Sequence, residues 1–102
     1  MNGSYENGSQ QRLVQVVTAL AGHELEGISA PDLATETDLP VSKLWRDLQN
    51  LRSAGWAEQI QPSMRWRLTP EFGGLSTKIA RALAVFSERA ERVRRDYLQE
   101  AM

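Results

Sequence analysis

The sequence has no cysteine and one histidine, His23. Without cysteine there can be neither disulfide staples nor thiolate metal sites, and a reducing cytoplasm is the compartment this composition suits. A single imidazole with no second His or Cys beside it builds no zinc site, so His23 reads as a loop residue and no metal or other cofactor is expected. No apolar run approaches the roughly 20 residues of a membrane span. The opening MNGSYENGSQ lacks the basic and apolar regions of a signal peptide and reads as a disordered tail over residues 1–9. The parts of a catalytic site are missing too: there is no glycine-rich phosphate loop, nucleophile–base pair or pair of carboxylates in a credible pocket, so an enzyme is not expected.

Neither sign of charge dominates, the net charge being −1 over 102 residues. Its distribution is more informative. Residues 1–42 carry one arginine against six acids, whereas residues 43–67 carry Lys43, Arg46, Arg52, Arg65 and Arg67 against Asp47 and Glu58. The acids Glu24, Glu26, Asp32, Glu36 and Asp38 form a solvated acidic side in this reading. The middle of the chain is cationic, and that matters if folding gathers the cations on one face.

Periodicity orders the elements. Leu13, Val16, Val17 and Leu20 recur at helical spacing, which predicts a first helix over about residues 10–21 that ends at Gly22. Ile28 could add one strand residue. Ser29, Pro31 and Asp32 suit the cap and first turn of a short second helix that presents Leu33 and Ala34 inward and is over by Thr37. In the corner TDLP, Asp38 can take a left-handed conformation, Leu39 faces the core and Pro40 opens a third helix over residues 41–54, stopped by Gly55. WAEQI and MRWRL read as a two-stranded hairpin, with Trp66 and Leu68 on one face and Arg65 and Arg67 on the other. Trp56 and Trp66 are expected in the core. A helix restarts at Thr69-Pro70, Gly73-Gly74 is expected to hinge or break it, and Leu75 onward is helix-compatible to about Ala101.

Three helices, a β-ribbon and a long helix make a mainly α chain with a small β wing. The layout is that of a winged helix-turn-helix over residues 10–70, followed by a C-terminal helix over 71–102. In this geometry the second helix of the pair enters the major groove with its N-terminal residues nearest the bases. The third helix collects Val41, Leu44, Leu48 and Leu51 on one side and Ser42, Lys43, Arg46, Gln49 and Asn50 on the other, with Trp45 at the border. Lys43 and Arg46 can donate to guanine or phosphate, Gln49 and Asn50 match adenine, and Ser42 can donate to phosphate. Trp45 can pack its ring on the domain edge and turn its indole N–H outward. Arg65 and Arg67 of the wing, residues 57–68, can reach the backbone or an adjacent minor groove.

On these residues the chain resembles the DNA-binding domain of IclR-type transcriptional regulators. The resemblance covers about Leu13 to Leu68 and is carried by ISAPDLATETDLPVSKLWRDLQNLRSAGWAEQIQPSMRWRLTPEF. Ser42, Trp45, Arg46, Leu48, Leu51 and Gly55 occupy the places of the family's recognition segment, and Arg65-Trp66-Arg67-Leu68 those of its wing. It implies contacts to double-stranded DNA from Ser42, Lys43, Arg46 and the wing arginines. Asp38 stands where the family often has glycine, Lys43 where it commonly has threonine, and only one helix follows in place of the large effector-binding domain, so no small-molecule effector is implied.

Leu75, Ile79, Ala82, Phe86, Ala90, Val93 and Tyr97 repeat at threes and fours along the last helix and suit pairing with a second copy, although Arg89 interrupts a strict heptad. The expected protein is a small homodimeric, sequence-specific DNA-binding regulator of bacterial or phage type, with no membrane partner. The competing class is a protein-interaction or assembly module, such as a small packaging-type subunit, for which the acidic first half and near-neutral total charge speak.

Overall fold

A computed structural model describes residues 7–101. The order is α1 (Gly8–Leu20), α2 (Ala30–Thr37), α3 (Val41–Ser53), β1 (Ala57–Ile60), β2 (Arg65–Leu68) and α4 (Pro70–Ala101). The chain divides into two compact units, one ending at Phe72 and the other beginning at Gly73.

In the first unit α1 and α2 each start where a side chain satisfies free backbone amides. Asn7 accepts from the amides of Ser9 and Gln10, so α1 begins two residues before the sequence pattern suggests. Gly8 and Ser9 are therefore helical rather than part of a tail, and residues 1–6 of the expected tail lie outside the described residues. Ser29 caps α2 by accepting from the Asp32 amide at 3.2 Å, and Asp38 ends it at φ 57° in the left-handed region. α3 starts after Pro40 with no side-chain cap and ends one residue earlier than expected, with Ala54 as its C-cap.

The core is one cluster in which Val16, Leu20, Leu33, Leu44, Leu48 and Trp66 are fully buried, with Leu13, Val17 and Leu39 packed partly against it. Removing such side chains from water contributes about 1.5–3 kcal/mol each and fixes how the three helices and the ribbon meet. β1 and β2 pair antiparallel, from Ala57 opposite Leu68 to Ile60 opposite Arg65. Ile28 extends the ribbon as expected, exchanging two backbone hydrogen bonds with Trp66 at 2.8 and 2.9 Å. This close approach requires Gly27, since a Cβ there would lie 2.8 Å from the Cβ of Arg65, at a backbone φ of +75°.

Three expectations are corrected. Trp56 is not a core residue: Ala57 takes the inward site of β1, and the Trp56 ring, 37% exposed, packs edge-on against Phe72 with centroids 4.7 Å apart. Val41 is 46% exposed, because the first turn of α3 precedes the point where the helix meets the core at Leu44. Gly73-Gly74 do not break the last helix, which runs unbroken from Pro70, and neither glycine has a positive φ. Its start is set by Thr69, whose hydroxyl accepts from the Phe72 amide at 3.0 Å and donates to the Gly55 carbonyl at 2.6 Å.

The second unit is the α4 segment from Gly73 onward. Leu75, Ile79, Leu83, Phe86, Val93 and Tyr97 are all exposed on it. No helix among the described residues is long and apolar enough to cross a membrane.

Candidate nucleic-acid interface

α3 has one dry side and one wet side. Leu44, Leu48 and Leu51 anchor it in the core, which turns Ser42, Lys43, Trp45, Arg46, Gln49 and Asn50 to solvent. All six expected residues are thus brought together on one exposed face. Lys43 and Arg46 have no carboxylate within ion-pair distance among the described residues. Pro40 supplies no side-chain cap, so the N-terminus of α3 keeps its partial positive charge without a side-chain acceptor.

The acid in the middle of α3 is removed from this face. Asp47 is 3% exposed and receives two hydrogen bonds from Arg12 of α1, Nε at 2.6 Å and Nη2 at 2.9 Å. The hydrogen bonds from Arg12 to Asp47 hold the guanidinium still more firmly protonated than usual. A bidentate, charge-assisted pair fixes direction as well as distance, so it locks α3 against α1. The charge pattern alone did not disclose this pair, yet spacing carried its signal. Asp47 lies three residues after Leu44 and four before Leu51, on the inward side of α3, and Arg12 lies four before Val16 on α1. The same junction brings Ser9 and Gln10 to a cleft shared with Arg46 and Asn50, extending the candidate face onto the first turn of α1.

Trp45 is 40% exposed and sets its ring edge-on to buried Trp66, centroids 5.9 Å apart, so it is a packed edge residue with one side in solvent. Arg52, not among the expected contacts, lies 4.6 Å over the Trp66 ring and donates to Gln59. That ties the end of α3 to β2 through a cation–π contact and to β1 through a hydrogen bond.

The two wing arginines differ in their partners. Arg65 is exposed and has no acidic partner among the described residues. Arg67 stands opposite Glu58 in the ribbon register, donates to it at 2.8 Å and reaches the Glu24 carbonyl at 3.3 Å. The two arginines do share the outer face, but only Arg65 leaves its charge open. On the acidic side, Glu24 accepts from the Gly22 amide and Glu36 lies 3.5 Å from His23.

The crystal structure of Pseudomonas aeruginosa HmgR, an IclR-family regulator, is similar to this chain with a TM-score of 0.57 and 32% sequence identity. The match covers 71% of this chain. The fold is a regulator-like winged helix. This chain spans about 28% of the HmgR chain, so the likeness concerns one part of that protein. No known protein family profile matches the sequence, and no curated protein does.

Proposed function

We propose that this chain is a sequence-specific double-stranded DNA-binding protein, a small transcription regulator of IclR-like type. α3 would read the major groove, and Arg65 of the wing would contact the backbone or a neighbouring minor groove. The observation that carries this reading is the pairing pattern of the charges. The one acid within α3 is buried against Arg12, while the exposed Lys43 and Arg46 are left without a carboxylate among the described residues. An exposed face of Lys, Arg, Gln, Asn and Ser, at an uncapped helix N-terminus, offers donors both for base edges and for phosphate.

The functional form would be a homodimer joined through the exposed stripe of α4. With Lys43, Arg46 and Arg65 each meeting a phosphate on both copies, log affinity would fall with log salt with a slope of about −5. Fluorescence anisotropy against duplex selected from a random pool tests the reading. A palindromic winner and a steep salt slope are expected. Binding that is equally weak for all duplexes and indifferent to Lys43→Ala with Arg46→Ala would overturn it.

A protein-binding role has one observation in its favour. Val41 and Trp45 leave apolar surface open beside the cations, at 46% and 40% exposure. If that surface served a protein partner, Trp45→Ala would abolish capture of that partner while the duplex titration stayed flat.

A further inference from the structure

The apolar stripe of α4 has a period of eleven residues. Leu75, Phe86 and Tyr97 are spaced by eleven, as are Ile79 and Ala90, and Ala82 and Val93. Eleven residues in three turns is about 3.67 per turn, nearly the pitch of a straight helix, so the stripe stays on one side without left-handed supercoiling. This period accounts for Arg89. A heptad would put it on the seam, whereas the eleven-residue period puts Ala90 there and Arg89 on the flank.

The stripe is also a palindrome. About Phe86, Leu75 mirrors Tyr97, Ile79 mirrors Val93 and Ala82 mirrors Ala90. Read in either direction it runs large, large, small, large, small, large, large, with an alanine one turn to either side of the central ring. Two identical helices with Phe86 at their midpoint would therefore seat both rings in the room left by Ala82 and Ala90. The exposure to be removed is large: Ile79 62%, Phe86 72%, Val93 54% and Tyr97 75%. Covering the stripe on two copies removes on the order of 1,200 Å² from water, within the range of stable, specific interfaces. A monomer rarely leaves so much contiguous apolar surface open.

The flanks choose the direction. In a parallel pair, positions on opposite flanks five residues apart meet, which sets Arg89 against the partner's Arg94 and Leu83 against the partner's Lys78. In an antiparallel pair centred on Phe86 each flank meets itself, so Lys78 comes within about 3 Å along the axis of the partner's Asp96 and the Arg89–Arg94 apposition is avoided. Leu83 and Arg89 each lie about 9 Å along the axis from their own twins. We propose that a second copy of this chain docks on α4 antiparallel, in a nearly straight helix pair with Phe86 on the two-fold axis. This deepens the dimer reading given above and depends on it.

The absence of cysteine makes the test clean. Full-length chains carrying Ala82→Cys or Ala90→Cys are oxidised alone and as an equal mixture, then run on a non-reducing gel. The expected result is a disulfide-linked dimer from the mixture and little from either variant alone. In the antiparallel pair, residue 82 meets residue 90 of the partner and lies about 12 Å along the axis from its own twin. Self-linking of both variants would mean a parallel pair and overturn the proposal. Light scattering of the unmodified chain separates the two layers of inference. A monomer overturns the dimer reading and this proposal with it, whereas a dimer whose single variants self-link overturns only the direction. Arg89→Cys serves as the phase control, since efficient linking there with none at Ala90 would restore the heptad. DNA binding enters none of these readouts, so failure of the recognition-helix reading would be seen separately.

Discussion

The two cationic surfaces of the winged-helix unit differ in what their charges already touch. On α3 the only acid is turned inward to Arg12, and Lys43 and Arg46 face solvent without a counter-charge among the described residues. On the wing, Arg67 is answered by Glu58 across the ribbon and by the Glu24 carbonyl, and Arg65 alone stays open. A count of arginines treats the surfaces as equals. The pairing does not: a cation already held by a carboxylate must give up that contact, or share it, before it can meet a phosphate. The proposed interface therefore rests on α3, with the wing as the weaker contributor.

The strongest attempt to break that ranking is the double substitution Lys43→Ala with Arg46→Ala. It should lower duplex affinity by about a hundredfold or more, since one good base or phosphate contact is worth about 1–3 kcal/mol. An anisotropy titration at fixed salt gives the number, and a larger loss from Arg65→Ala with Arg67→Ala would invert the comparison.

Asp47→Ala should come next, with about a tenfold loss in affinity from a residue that touches no DNA in this reading. It releases Arg12 and lets α3 shift against α1. A fall in melting temperature greater than that caused by Glu36→Ala should accompany it, because a buried carboxylate pair is harder to lose than a surface one. If affinity and melting temperature both stay put, the pair does not position the helix. No pH dependence of stability is expected from Arg12. A pKa raised above its already high ordinary value keeps the pair's contribution fully present below that value and loses it only in strong alkali.

Within the wing, Arg65→Ala should cost about fivefold in affinity and Arg67→Ala about twofold or less. Similar losses would mean that Glu58 does not restrain Arg67. An expected gain in affinity sharpens the contrast most. Glu58→Gln frees Arg67 and should raise affinity about threefold while steepening the salt slope by about one per chain. Its cost in stability should stay below about 1 kcal/mol, since the Arg67–Glu58 pair is over a third exposed on the glutamate side.

Much of the fold could be read from local pattern. The stripes of α1 and α3, the Ser29 cap, the left-handed Asp38 and the alternation that buries Trp66 and Leu68 all follow from spacing and turn chemistry, because they depend on neighbours within a few residues. The outer face of α3 was legible for the same reason: once Leu44, Leu48 and Leu51 are placed in the core, helical geometry sends Ser42, Lys43, Arg46, Gln49 and Asn50 to the other side. Continuity of α4 through Gly73-Gly74 was less legible, since glycine lowers helix propensity without forbidding the helix.

What the sequence determined by itself was the set of faces, because periodicity is a property of one element at a time. What only the tertiary structure decided was which charges cancel. Arg12 meets Asp47 across 35 positions, Arg67, paired with Glu58, also reaches the backbone carbonyl of Glu24 across 43, and Trp56 gives up the core to lean on Phe72. Such contacts depend on where separate elements come to rest, and no repeat along the chain records that.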